Sequence, residues 1–418
     1  MLLTNKVLNK LLWLVALLPA FGQAQNTKGN KAYELDSLHM NPHAVSAGMN
    51  AGYGSNSFTP KALTSVYFNG VIDDATLSDL AEMAVSSNKM FYSDNIYLAY
   101  LKPLSNKTSI KLGITQRNFA SLITPRTALE FAAYGNSQYK GSTMVLDELD
   151  INLFTASGLT LGVSRLFDFG SGRLKLSLDL RLLQGQNLVN ISIQNSSLYT
   201  EENAEYIDLV YDYEYNFNST PKAFSGLGFD LGFSATYWHA QRFKLESWIQ
   251  GIGNMYWSGD GLKSGTASGE INYEGLFFTF DELSTIGSND ELNSEVDSLK
   301  NLMSPSERDE YTLNLPYTIG LNLSTYLGKN QLITLGAHMV PGHYDLPVLN
   351  VGFRHFATSQ IYSGINYNTG PFGGHALGLE MGYIHPKFSF DIRENSPFRL
   401  SEVRTPLTGG HIKLSYFI

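Results

Sequence analysis

The chain is predicted to be an all-β protein, a transmembrane antiparallel β-barrel of about fourteen strands, and three observations carry that reading. Apolar and polar residues alternate with a period of two through most of the chain. A short secretory leader opens it, and its last strand ends in aromatic residues.

The leader has Lys6 and Lys10 as its positive region, an apolar run from Leu11 to Ala20, and small residues at Gly22 and Ala24. Cleavage is expected after Ala24. The run is about ten residues, where a spanning helix needs about twenty. Losing Lys6 and Lys10 takes the net charge from −9 to −11.

Composition excludes several classes. Among 418 residues there is no cysteine, so disulfides, thiolate metal sites, a Cys nucleophile and a lipidated Cys are ruled out. Charged residues make up 16%, below the usual ~25%. The negative balance argues against nucleic acid, whose phosphates require a basic surface. No apolar run after residue 24 is long enough for a helical span.

Strands are expected at 62–70, 91–102, 107–119, 148–166, 172–194, 226–238, 243–256, 314–326, 331–340, 346–356, 359–368, 374–384, 387–396 and 408–418. The segment around Leu174, Leu176, Leu178, Leu180 and Leu182 shows the pattern: its other face carries Arg173, Lys175, Ser177, Asp179 and Arg181. Fourteen is even, so both termini fall on one side with the short turns, such as His385-Pro386 and Ala357-Thr358. The opposite connections are long, above all 257–313. Helices are expected from Asp73-Asp74 through Ser87, over Pro125 to Tyr134, and over Glu291 to Met303. The chain thus divides into a leader (1–24), a segment 25–60 that is either a plug or a loose periplasmic end, and a barrel (61–418). Phe119, Tyr237, Trp238, Tyr256, Trp257, Phe388 and Tyr416 near strand ends are expected in interfacial girdles.

Asp179 to Leu209 (DLRLLQGQNLVNISIQNSSLYTEENAEYIDL), followed by Gly226 to Tyr237 (GLGFDLGFSATY), resembles an uncharacterised family of Bacteroidota outer-membrane proteins, a domain of unknown function. In fold that family is similar to the FadL and PorV group of fourteen-stranded barrels. The resemblance implies the fold and an outer-membrane location, and function only by analogy. FadL-type barrels pass small hydrophobic molecules; PorV-type barrels are non-enzymatic partners in secretion.

Three constellations are candidates for function. The polar strand faces carry Lys111, Arg117, Lys175, Asp179, Arg181, Asp230, Arg354, Glu380, Asp391 and Arg393. Facing lipid, each would cost about 2–4 kcal/mol, so a lumenal charge network is expected, as either a structural lattice or a polar path. The outward loop carries Asp281, Glu282, Asp290, Glu291, Glu295, Asp297, Glu307, Asp309 and Glu310, a candidate contact for cations or a protein partner. At the terminus, Tyr416, Phe417 and Ile418 form the expected barrel-assembly signal, with Phe417 next to last. No nucleophile elbow, zinc-protease helix or phosphate loop is present, and the His338/His343 and His39/His43 pairs are each split by proline. No enzyme, cofactor or metal is expected. The expected partners are outer-membrane lipid and lipopolysaccharide, the barrel-assembly machinery, and proteins at the outward loops. The expected role is a non-enzymatic accessory subunit of PorV type, with a FadL-like passive transporter of small hydrophobic molecules as the alternative.

Overall fold

The computed structural model describes residues 42–59, 74–203, 206–218, 226–239, 242–259, 261–274, 306–327, 330–344, 346–372, 374–399 and 405–418. In chain order the elements are β1 (Ala44–Ser55), α1 (Asp74–Met83), β2 (Ser87–Pro103), β3 (Thr108–Pro125), α2 (Arg126–Tyr134), β4 (Ser142–Val145), β5 (Leu149–Phe169), β6 (Gly172–Ile193), β7 (Ser197–Thr200) and β8 (Tyr206–Asn218). There follow β9 (Gly226–His239), β10 (Phe243–Ser258), β11 (Leu262–Glu274), β12 (Ser306–Arg308), β13 (Glu310–Asn314), β14 (Thr318–Leu327), β15 (Gln331–Met339), β16 (Val348–Phe356), β17 (Ile361–Thr369), β18 (His375–Ile384), β19 (Phe388–Arg399) and β20 (Thr405–Phe417).

Fourteen of these strands form one closed antiparallel wall in the order β1, β2, β3, β5, β6, β9, β10, β14 and on through β20. The seam is β20 against β1, with Ala44 opposite Phe417. Each backbone edge is thereby paired, which is the condition for a sheet to stand in an apolar medium.

The seam corrects one expectation. Residues 44–55 are neither plug nor loose end but the first wall strand. Val45, Ala47 and Met49 point outward while Ala44, Ser46 and Gly48 point inward, an alternation muted by small residues. The strand expected at 62–70 lies outside the described residues, as do the leader (1–24), residues 25–41 and the helix expected over 291–303. The other two helices are present as α1 and α2, packed together through Leu80, Ala84 and Leu129 over Phe58.

Two bulges re-phase the wall. On β6, Ala156 faces Gly185 but Thr155 faces Asn187, so Gln186 is the extra residue. On β10 the extra residue is Gly251, at φ +93. Beyond each bulge the inward parity flips: Asp179, Arg181 and Leu183 give way to Leu188 and Asn190, and Gln250 gives way to Met255 and Trp257. This corrects the girdle expectation for Trp257, which is buried inside the barrel, as are Phe119 and Trp238. Tyr256, Phe388 and Tyr416 do face outward and are exposed.

The outer surface is an apolar band. Ile96, Leu98, Leu112, Ile114, Leu159, Leu161, Val163, Leu178 and Leu182 are all more than a third exposed on neighbouring strands. The terminal strand contributes Ile412, Leu414, Tyr416 and Ile418 to it.

The wall is uneven. Strands β5 and β6 run 21 and 22 residues, whereas β15, β16 and β17 run 9 each. At about 3.3 Å per residue, that is about 70 Å of strand against about 30 Å. The tall side is continued by β8, which leaves β6 to pair with β11, and by the short strands β4, β7 and β12.

Candidate functional site

The lumen holds two layers. The layer nearer the long loops is apolar. Phe91, Phe119 and Phe154 project from β2, β3 and β5, Leu183 and Leu188 from β6, and Met255 and Trp257 from β10. Phe119 stacks on Phe154 at 5.3 Å and meets Phe91 edge-on at 5.4 Å, geometries that aromatic quadrupoles favour. The connection between β15 and β16 folds in from the opposite wall and brings Val340, His343 and Tyr344. His343 stands edge-on to Phe119 at 4.9 Å, and Tyr344 edge-on to Phe91 at 5.6 Å. Phe372, between β17 and β18, closes the layer against Tyr344 at 6.0 Å. Parity places Phe119 inward with Lys111 and Arg117 on β3, whereas the bulge at Gly251 hides Trp257 and the inward loop hides Tyr344.

Beneath it lies a polar layer. A cavity of about 270 Å³ marks the junction, with Phe91, Val340, Tyr344 and Val348 as its apolar roof and Asn95, Arg117, Arg181, Gln250 and His338 as its polar sides. All ten residues expected in the charge network occupy inward positions, and the fold sorts them into groups.

Asp230 on β9, with no exposed surface, sits between Arg181 Nε at 2.6 Å and Arg117 Nη1 at 3.7 Å. Arg117 also donates to the Pro316 carbonyl at 2.5 Å and lies over the Phe154 ring at 5.6 Å, joining the polar layer to the apolar one. Gly251 faces the same guanidinium.

Glu380 accepts Arg354 through Nε at 2.9 Å and Nη2 at 3.0 Å, and Arg393 through Nη2 at 2.8 Å. Such a bidentate fork is the strong form of an ion pair. Arg354 in turn lies over the Tyr362 ring at 4.3 Å. Gly364 makes the arrangement possible, since a side chain there would collide with the Glu380 carboxylate.

Lys111 pairs with Asp179 at 2.6 Å, and Lys244 with Glu246 at 3.4 Å. Asp391 pairs with His411 rather than with an expected partner. Lys175 stands within electrostatic reach of Lys111 and of Lys413, a residue outside the network expected from sequence. Among the described residues between the turns and the outer rim, the inward face thus carries eight cations (Lys111, Arg117, Lys175, Arg181, Lys244, Arg354, Arg393, Lys413) against five carboxylates (Asp179, Asp230, Glu246, Glu380, Asp391), a net +3. The whole chain is −9.

The acidic loop is only partly described: Asp281, Glu282, Asp290, Glu291, Glu295 and Asp297 lie outside the described residues. Of the remainder, Glu307 is in β12, Asp309 follows it, and Glu310 accepts the Tyr256 hydroxyl at 2.6 Å. At the terminus, Phe417 N–H donates to the Lys387 carbonyl and Ile418 N–H to the His43 carbonyl at 2.8 Å, so the expected assembly signal forms part of the seam. No group of three or more potential metal ligands occurs among the described residues.

Residues 44–392 match the model of a family described as "Family of unknown function (DUF5723)". No curated protein matches the chain in sequence. Among solved structures, a Pseudomonas aeruginosa FadL homologue is similar at 12% identity and a TM-score of 0.41, covering 95% of each chain. The Ralstonia pickettii toluene transporter TbuX is similar at 9% identity and a TM-score of 0.46, covering 91% of this chain and 93% of its own. Outer membrane phospholipase A from Escherichia coli is similar at 9% identity and a TM-score of 0.28, covering 94% and 98%.

Proposed function

We propose, from the premise that the chain belongs to a family of unknown function (DUF5723), that it is a non-enzymatic outer-membrane barrel whose lumen takes up a small hydrophobic molecule. The exposed band of Leu, Ile and Val supports the membrane location, because a soluble surface rarely presents so much contiguous apolar area.

One observation carries the ligand reading: an open cavity whose apolar side is Phe91, Val340, Tyr344 and Val348, backed by the buried inward cluster of Phe119, Phe154, Met255 and Trp257. Small transmembrane barrels keep polar interiors, and the lower half of this lumen does so. An apolar layer at the end of the long loops, roofing a cavity of about 270 Å³, is a surface on which an uncharged ring or short alkyl chain exchanges water for aromatic contact. Arg117, packed on Phe154, marks the lower limit of that site.

The test uses Trp257 as its own reporter. In a chain beginning at Gln25 and carrying Trp238→Phe and Trp248→Phe, the refolded barrel is titrated with naphthalene in neutral detergent. A saturable change in Trp257 emission, weakened by Phe119→Ala, is expected. A linear response identical to that of free indole would overturn the reading.

The accessory role of PorV type is kept as a second reading for one reason. On β8, Tyr211, Tyr213, Tyr215 and Phe217 form a continuous ladder with ring separations of 6.1, 6.2 and 5.6 Å on the tall side of the wall. The half-buried rings of Tyr213, Tyr215 and Phe217 in that stripe offer a partner aromatic contact at low entropic cost. Retention of a stoichiometric protein by the tagged barrel, abolished by Tyr213→Ser with Tyr215→Ser, would favour this reading over the first.

A further inference from the structure

Two cavities stand one above the other in the lumen. The upper, of about 270 Å³, lies under the apolar roof. The lower, of about 310 Å³, reaches toward the short turns, where Ser46, Leu101, Lys111 and Lys413 line it. Asn50, Asn95, Arg181 and Gln250 border both, so the two spaces meet at one neck. Asn50 is on β1, the first strand of the wall, and Gln250 on β10, the seventh, so their amides approach from opposite sides. Both point inward, yet each is exposed rather than packed. The charges beside them are engaged, Arg181 with Asp230 and Lys111 with Asp179. A solute at the neck therefore meets mainly amides and hydroxyls, which suit hydrophilic molecules.

The connection between β15 and β16 closes the upper end. It crosses from the ninth wall strand to the second and third. There His343 meets Phe119 and Phe91 at 4.9 and 6.2 Å, and Tyr344 meets Phe91 at 5.6 Å. Ring contacts hold it in place. The hydrogen bonds of His343 stay within the connection, its N–H donating to the Val340 carbonyl and its Nδ1 lying 3.4 Å from the Pro341 carbonyl. The Tyr344 hydroxyl is buried without a partner, a cost that water would relieve once the connection moved. The connection between β13 and β14 is held differently, because Arg117 fixes its Pro316 carbonyl at 2.5 Å. Gly342, at φ +86 with open space around it, turns the chain back.

We propose that the lumen is a gated path for small hydrophilic solutes, opened when the connection between β15 and β16 swings off Phe91 and Phe119. The path runs through the neck at Asn50 and Gln250 to the end with the short turns. It does not rest on the hydrophobic-ligand reading: that is read from Trp257 emission, this from current, and each can fail alone.

The experiment is single-channel recording on the whole refolded barrel in planar lipid bilayers, with potassium chloride as the solute. The intact protein should be closed most of the time. His343→Ala with Tyr344→Ala, its folding checked by heat-modifiable gel mobility, should raise the time-averaged conductance about tenfold or more. In that background Gln250→Trp should cut the current several-fold, and Ser247→Trp, on the outer face of the same strand, should leave it unchanged. The chain has no cysteine, so His343→Cys with Phe119→Cys can be joined by a short cleavable bis-maleimide. Joining should shut the current of that variant, and cleavage should restore it. A folded double-alanine variant as silent as the intact barrel would overturn the proposal. So would an intact barrel already as conductive as that variant, or a current indifferent to Gln250→Trp or to the cross-link.

Discussion

The indole of Trp257 on β10 fills the space that a side chain at Gly185 would occupy two strands away on β6, passing over Gly226 of the intervening β9. A Cβ on Gly185 would fall 2.6 Å from the Met255 sulfur and closer still to the indole, and Trp257 itself is 1% exposed. The glycine is therefore the socket for the largest ring in the apolar layer. Gly185→Ala is expected to destabilise the barrel by about 1–3 kcal/mol through overpacking. Gly232→Ala, where the nearest atoms are 3.7 Å away, should be close to neutral. Urea unfolding of the two variants in lipid vesicles, followed by Trp fluorescence, checks the contrast.

The two shared carboxylates are expected to behave as independent keystones. Asp230 is buried between Arg117 and Arg181, and Glu380 between Arg354 and Arg393, on well separated strands. Asp230→Ala and Glu380→Ala each strand two cations, at a cost of about 3–5 kcal/mol. Since the groups share no partner, the double variant should be additive within about 0.5 kcal/mol. A double-mutant cycle by the same urea titration measures the coupling, and a large coupling would show that the two groups communicate through the lumen.

Acid is expected to loosen α2 before the wall. Burial raises the Glu130 carboxyl, but hydrogen bonds from Tyr139 and Arg126 outweigh that and hold it below the ordinary carboxylate range. A carboxyl depressed on folding stabilises the native state at pH above its unfolded value, and loses that contribution as pH falls through the lower folded value. Amide protection over residues 127–134, taken relative to the intrinsic exchange rate at each pH, should therefore be steady from pH 7 to about 5 and fall below about 4.5. Glu130→Gln should remove the acid step.

The outer band and the lumen should respond oppositely to charge. Leu161→Arg places a cation on the exposed apolar face and should cost about 2–4 kcal/mol in a bilayer. Thr236→Arg, inward on β9, should cost much less because it meets water and the Glu246 side of the lumen. Unfolding of both variants in lipid vesicles measures the difference, and equal penalties would show that the band does not face lipid.

The wall was readable wherever large apolar residues alternate with charges, as along Leu174 to Leu182, whose inward partners Lys175, Asp179 and Arg181 lie in the lumen. It was not readable along Ala44 to Ser55, where alanine, glycine and serine on both faces erase the contrast. The inward charges follow from parity, but their grouping does not, since Arg354 and Glu380 meet across an intervening strand and only because residue 364 is glycine. Trp257 and Met255 were hidden by the extra residue at Gly251, which inverts parity without leaving a pattern more specific than one glycine.

At the seam, the hydroxyls of Ser46 and Ser415 are hydrogen-bonded at 2.8 Å across 369 residues of sequence. Each other junction in the wall joins strands much nearer in the chain, and hairpins of that kind form early. The last junction has no such help. Until β20 reaches β1, the nascent sheet carries two unpaired edges, each able to capture another chain. Assembly is therefore all or nothing: shortening either end of the wall leaves a ribbon with sticky margins rather than a smaller barrel. The order of events is set by geometry, with the first strand made waiting for the last.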